Sequence, residues 1–119
     1  DILEVFDAIG KQQLDSLQPA FDIRAASTVV MVSGGYPGSY EKGKVINNLS
    51  EVGEHCIIFH AGTRQQEDQV LTSGGRVLAV TGFGKNIFEG LENAYDTIDR
   101  ISFEKAYYRK DIGFDLLKY

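Results

Sequence analysis

Four runs rich in apolar and β-branched residues, Thr28–Val32, Cys56–His60, Gln69–Thr72 and Arg76–Thr81, follow one another with no helical period between them. Parallel strands need crossover connections, usually helical, whereas antiparallel strands can be joined by short polar or glycine-rich turns. The connecting stretches here, such as Ser33–Gly35, Ala61–Thr63 and Ser73–Gly75, are of the second kind. The pattern therefore predicts an antiparallel, meander-like sheet and argues against a doubly wound α/β fold. Thr28–Val32 reads as a buried strand because its run is continuous. Ser73-Gly74-Gly75 predicts a hairpin joining Gln69–Thr72 to Arg76–Thr81, since glycine tolerates positive φ. Arg64–Asp68 reads as a solvated loop, and Lys44–Ile46 as a short extended piece.

One strong helix follows the strands. Ile87, Leu91, Ala94, Tyr95, Ile98 and Ile101 recur at helical spacing, predicting a helix over 87–101 whose apolar stripe packs on the sheet. Asn86, with Glu89 three residues on, approximates a capping box. Glu89 and Glu92 early, and Arg100 late, suit the helix dipole. At the other end of the chain, Ile2, Val5, Phe6 and Ile9 share one helical face before Gly10, with no cap sequence ahead of them. A short turn around Leu14 and Leu17 ends at Pro19. The segment reads as a helix cut from a longer chain.

A chain of 119 residues is one domain, or one domain and a fragment, and is long enough to bury a core without disulfide or metal staples. Its net charge of −5 weighs against nucleic acid as a partner. No apolar run reaches the ~20 residues that span a bilayer and no signal segment is present, so no membrane partner is expected and the expected location is the cytoplasm. Cys56, the only cysteine, reads as a buried thiol in a reducing compartment. His55 and His60 lack the spacing of a metal site or a catalytic triad.

The stretch SGGYPGSYEKGKV, Ser33 to Val45, imitates a phosphate loop: Gly38 is followed, after four residues, by Gly43 and Lys44. Such a loop needs Ser or Thr after the lysine for Mg²⁺ and must lead into a helix. Val45 stands there, and no helical pattern follows. Gly82-Phe83-Gly84-Lys85-Asn86-Ile87 likewise lacks the third glycine and the βαβ unit of a dinucleotide fingerprint. Tyr36–Ser39 reads as an ordinary turn with Pro37 presetting φ. Lys42, Lys44, Arg76, Arg109 and Lys110 nevertheless sit near glycine-rich turns in an acidic chain. Surface charge is the plainer reading of Lys42, Lys44 and Lys110. Arg76 directly follows Gly74-Gly75, where backbone can yield to a ligand, and its guanidinium fork suits phosphate.

Four ordered segments carry a resemblance: VVMVSGGYPGSYEKG (29–43), IIFHAGT (57–63), SGGRVLAVTGFG (73–84) and YYRKDIGF (107–114). Together they resemble the C-terminal part of glycinamide ribonucleotide synthetase, also called phosphoribosylamine–glycine ligase. The resemblance implies an α+β domain: a small, mainly antiparallel β half-barrel of the barrel-sandwich-hybrid or rudiment-single-hybrid type, with flanking helices, at the C-terminal end of an ATP-grasp enzyme. Residues 1–24 would be the last helix and linker of a truncated ATP-grasp domain, and residues 25–119 the C-terminal domain. The family joins glycine to 5-phosphoribosylamine using ATP and Mg²⁺ or Mn²⁺, in the second step of purine synthesis. ATP and metal would be bound mainly by the region upstream of residue 1, so no cofactor is expected for this chain alone. Its partners would be the small substrates and the missing N-terminal and ATP-grasp domains.

The resemblance also implies a role in closing the active site. In related ATP-grasp enzymes, an arginine just after a hairpin contacts the ribose phosphate, and Arg76 sits in the comparable place. Gly75, Arg76, Lys42 and Lys110 are thus the candidate ribose-phosphate group, with no catalytic residue and no metal ligand expected. A stand-alone phosphosugar-binding module, or a structural module completing an ATP-grasp protein in trans, are the alternatives.

Overall fold

The computed structural model describes residues 1–118, so Tyr119, the last residue of the expected domain, lies outside the described residues. In chain order the elements are α1 (Ile2–Gly10), a 3-10 turn (Leu14–Ser16), β1 (Ala25–Ser33), β2 (Cys56–His60), β3 (Thr63–Gln66), β4 (Gln69–Thr72), β5 (Arg76–Gly84), α2 (Ile87–Ile98), β6 (Ala106–Tyr107) and a 3-10 helix (Phe114–Lys118). Strands β2, β5, β1 and β6 form one sheet in that order, and β3 pairs with β4 separately; every pairing is antiparallel. The sheet stays open, an α+β arrangement compatible with a half-barrel.

The meander expectation fails in one respect. β1 and β5 lie far apart in sequence, yet they form the central pair, from Ala25↔Gly84 to Val32↔Arg76. They are the two longest strands, and pairing them puts the most apolar side chains on one buried face.

The expected hairpin across Ser73–Gly75 is also displaced. β4 turns back on β3, not on β5, so the polar segment read as a loop contains an exposed edge strand. Its two-residue connection places Glu67 at φ 52, a left-handed conformation that needed no glycine. Ser73–Gly75 instead crosses between the sheets, where the N–H groups of Ser73 and Gly74 both donate to the Gly62 carbonyl, at 2.7 and 3.1 Å.

The core lies between the inner face of the sheet and α2. Val29 and Met31 of β1 and Leu78 and Val80 of β5 pack with Leu91, Ala94 and Ile98, joined by Ile46, Ile101 and Phe103. β1 alternates, with Ser27, Val29, Met31 and Ser33 buried and Val30 39% exposed, so it is not buried on both faces as its composition suggested. α2 approaches so closely because β5 presents glycine: a Cβ on Gly82 would fall 2.6 Å from the Ala94 nitrogen. Polar ties complete the contact. Ser27 Oγ donates to the Ile87 carbonyl (3.0 Å) and Asn93 Nδ2 to the Phe83 carbonyl (2.8 Å). Cys56, only half-buried, donates its Sγ–H to the Asn93 carbonyl at 3.0 Å.

The ends of the helices follow the expectations with adjustments. Asn86 Oδ1 accepts the N–H groups of Phe88 and Glu89, both at 3.0 Å. Glu89 reaches back to the N–H of Lys85 (2.7 Å), one residue earlier than a standard capping box requires. α2 ends at Ile98 rather than Ile101, and the chain tightens as Arg100 and Ile101 donate to Thr97 and Ile98. Ile101 kept the helical period because it is buried, not because it is helical. In α1, Asp1 is itself the cap that the sequence reading missed, accepting the Leu3 N–H at 2.9 Å. Ile2, Phe6 and Ile9 of α1 are exposed, as are Phe21 and Ile23 at 84% and 99%.

Candidate functional site

The face of the sheet opposite α2 carries Thr28 and Val30 of β1, Ala79 of β5 and Phe59 of β2, which the register places side by side. At one end of this face the β1–β5 ladder slips. Met31 pairs with Leu78, but Val32 pairs with Arg76, leaving Val77 as the extra residue of a β-bulge. Regular alternation would put Arg76 on the same face as Leu78, towards the core. The bulge buries Val77 and Leu78 together and turns Arg76 to the open face.

Arg76 there borders two adjoining grooves. One, of about 310 Å³, runs past Val32, Tyr107 and Arg109; the other, of about 620 Å³, runs past Gly62 and Gly75. Tyr36 and Val30 line both. Gly75 and Arg76, neighbours in the chain, both line the larger groove. Among the described residues the cations in ion pairs include Arg24, Lys44 and Arg109, but not Arg76.

Arg109 is the groove's second guanidinium, which the sequence singled out only as one of several cations. Its fork is closed on Asp111, with Nε and Nη2 donating to the carboxylate at 2.9 and 2.8 Å. That pairing holds the Asp111 carboxyl below the usual carboxylate range. Tyr95 fixes the same segment, its hydroxyl donating to the Arg109 carbonyl at 2.8 Å. Tyr108, also in the groove wall, donates to Asp99 at 2.7 Å, and this hydrogen bond pushes its phenol up to about 12. The signal in the sequence was YYRKD, an arginine flanked by Tyr108, which ties to Asp99, and by Asp111, which closes its fork.

The other two candidate cations do not line these grooves. Lys42 lies over the Tyr40 ring, 5.9 Å from its centre. Lys110 lines a separate depression with Tyr107, Tyr108 and Phe114.

The loop that imitated a phosphate cradle is engaged from within. Gly43 N–H donates to the Thr72 carbonyl (2.7 Å) and Lys44 N–H to Thr72 Oγ1 (3.0 Å). The Lys44 ammonium is held by Glu41 and Glu104 at 2.7 and 2.8 Å. The chain turns over Gly34–Pro37, with the Tyr36 N–H on the Ser33 carbonyl (3.0 Å), and bends on through Ser39, so the turn expected over Tyr36–Ser39 begins two residues earlier; the Tyr36–Pro37 peptide is cis. The Gly43 and Lys44 amides and the Lys44 ammonium, which the imitation would aim at a phosphate, are thus already engaged. Among the described residues no group of three His, Cys, Asp or Glu side chains could hold a metal ion. His60 Nδ1 lies 3.0 Å from Thr63 Oγ1.

Glu41 also takes Lys105 at 2.9 Å, so one carboxylate ties the loop to the turn before β6. Hydrogen bonds from Lys44 and then Lys105 hold its carboxyl down at about 2, against an ordinary 4.5. A depressed folded value means that this clamp acts fully above pH 4.5 and is lost as pH falls through about 2. A carboxyl-carbon NMR titration should show the Glu41 midpoint well below those of unpaired glutamates. A midpoint near 4.5 would show that the clamp is open in solution.

Residues 26–115 match the family described as phosphoribosylglycinamide synthetase, C domain. The chain belongs to this family. The chain is 46% identical over 114 residues to the phosphoribosylamine–glycine ligase of Nostoc sp., covering 93% of this chain and 27% of that protein. It is 38% identical over 117 residues to the ligase of the same name from Agrobacterium fabrum, covering 98% of this chain and 28% of that protein. The crystal structure of the Thermotoga maritima phosphoribosylamine–glycine ligase superposes with a TM-score of 0.71 at 31% identity, over 89% of this chain and 27% of that one. The chain therefore spans about a quarter of the length of these relatives. No helix among the described residues is long and apolar enough to cross a membrane.

Proposed function

We propose that this chain is the C-terminal part of a cytoplasmic ligase that joins glycine to 5-phosphoribosylamine with ATP, and that its open sheet face helps to bind the ribose phosphate. The observation that carries the site is the bulge that aims Arg76, free of any ion pair among the described residues, into a groove shared with a second arginine. A planar fork beside the bare backbone of Gly75 suits a phosphate, which needs several donors in fixed directions. Arg109 can join by exchanging Asp111 for the incoming anion. Lys42, one aromatic neighbour removed through Tyr40, and Lys110, beyond the Tyr107–Tyr108 rim, add longer-range attraction.

Residues 1–24 are assigned to the neighbouring ATP-grasp unit. α1 packs on the Leu14–Ser16 turn and leaves Ile2, Leu3, Phe6 and Ile9, with Phe21 and Ile23, uncovered. We assign ATP and Mg²⁺ or Mn²⁺, in the whole ligase, to chain outside these residues; the Lys44 ammonium is already paired with Glu41 and Glu104, and among the described residues no group of three His, Cys, Asp or Glu side chains could hold a metal ion. The work left to this domain is to bind and orient a phosphorylated sugar and to exclude water.

A polypeptide of these 119 residues alone is accordingly expected to release no phosphate from ATP when glycine and phosphoribosylamine are supplied. Substrate-dependent phosphate release by the pure chain would overturn the division of labour proposed here. The substitution of Arg76 in the whole ligase tests the site itself.

A further inference from the structure

The two grooves beside Arg76 meet along a ridge whose aromatic member is Tyr36. Nothing in its sequence context marked Tyr36 as more than a turn residue. In the fold its ring lies against the backbone of Gly75, so close that a Cβ there would overlap the Cγ–Cδ2–Cε2 side of the ring. The ring still leaves the residue 39% exposed on the open face.

Its position is held from several directions. The Ser33–Tyr36 turn fixes the backbone, and Ser33 is tied to the Ser73–Gly75 crossing by N–H donation to the Gly75 carbonyl (2.8 Å) and Oγ donation to the Gly74 carbonyl (3.0 Å). Tyr40 packs edge-on, with ring centres 6.0 Å apart at 64°. The Glu41 clamp anchors the far end of the same loop. An aromatic side chain held this way meets a ligand with little further loss of conformational freedom.

We propose that Tyr36 is the specificity-determining residue of this face: its ring receives the sugar ring of a phosphorylated ribose whose phosphate is taken by Arg76. The proposal rests on the reading of Arg76 as the phosphate ligand. Its chemical basis is separate from charge. Sugar C–H groups carry partial positive charge and pack against the negative face of an aromatic ring, whereas a bare phosphate gains nothing there. Gly75 is required because any side chain there would overlap the ring and displace it from its seat.

The test uses the whole ligase and two inhibitors of phosphoribosylamine turnover, ribose 5-phosphate and inorganic phosphate. Tyr36→Ala should weaken inhibition by ribose 5-phosphate roughly tenfold, the scale of losing one aromatic stacking partner, and leave inhibition by inorganic phosphate unchanged. Tyr36→Phe, which keeps the ring, should retain the parent behaviour for both. Gly75→Ala, which displaces the same ring, should weaken inhibition by ribose 5-phosphate at least as much as Tyr36→Ala, and adding Tyr36→Ala to it should cost that inhibitor nothing further.

Arg76→Ala should weaken both inhibitors. If it weakens neither, the phosphate reading fails and takes this proposal with it. If Arg76→Ala acts as expected but Tyr36→Ala leaves ribose 5-phosphate unaffected, or weakens both inhibitors equally, only the Tyr36 assignment is overturned. Absence of inhibition by ribose 5-phosphate in the parent enzyme would also overturn it.

Discussion

In the whole ligase, Arg76→Ala is expected to lower kcat/KM for phosphoribosylamine about 30- to 1000-fold while leaving the KM values for ATP and glycine almost unchanged. The range corresponds to losing roughly 2–4 kcal/mol of charge-assisted hydrogen bonding to a phosphate. Arg76→Lys should recover only part of this, since an ammonium keeps the charge but not the fork. The competing view is that Arg76 fastens β5 to the sheet. Its exposure and its absence from the ion pairs of the described residues speak against that. Steady-state kinetics with each substrate varied, alongside thermal melts, separate the two. Equal losses for all three substrates with a lowered Tm would remove Arg76 from the site.

Gly82→Ala should destabilise the domain by about 2–3 kcal/mol, lowering Tm by roughly 10–20 °C. The added methyl would meet the Gly90 carbonyl and the Ala94 nitrogen of α2, both of them backbone atoms of a helix seated over the core. Neither can rotate aside, so the helix must lift from β5, and Leu91, Ala94 and Ile98 lose packing with it. Gly53→Ala is the control, because nothing lies within 4 Å of a Cβ there. Calorimetry or circular-dichroism melts of the two variants decide the matter. Matching Tm values would mean that α2 does not rest on the strand as closely as the structure places it.

The sequence by itself determined the local elements wherever the physics is local. Cys56–His60 is a strand with the predicted ends because its apolar run is bounded by turn residues. α2 starts at its Asn86 cap for the same kind of reason, since a side-chain oxygen two or three residues from the first free N–H groups needs no tertiary partner. Four ordered motifs were also enough to place the chain in its family. The pairing of strands was not local, and there the sequence reading went astray. Glycine at 73–75 is ambiguous between a turn and a close crossing, and only the fit of Gly62 under Ser73 and Gly74 selected the crossing. β4 then turned to the polar segment Thr63–Gln66, whose composition disguised an edge strand.

The site shows the same division. Arg76 was legible as a residue type suited to phosphate beside yielding backbone. Where its side chain points was not, because alternation along a strand has period two and one extra residue reverses it. The bulge between Met31 and Val32 on one strand and Leu78 and Arg76 on the other is a property of the paired strands. Tyr36 reaches Gly75, and Arg109 reaches the adjoining groove that Tyr36 also lines, across chain separations that no spacing rule covers. Chemistry was written in the residues; direction came only from the packing of β1 against β5.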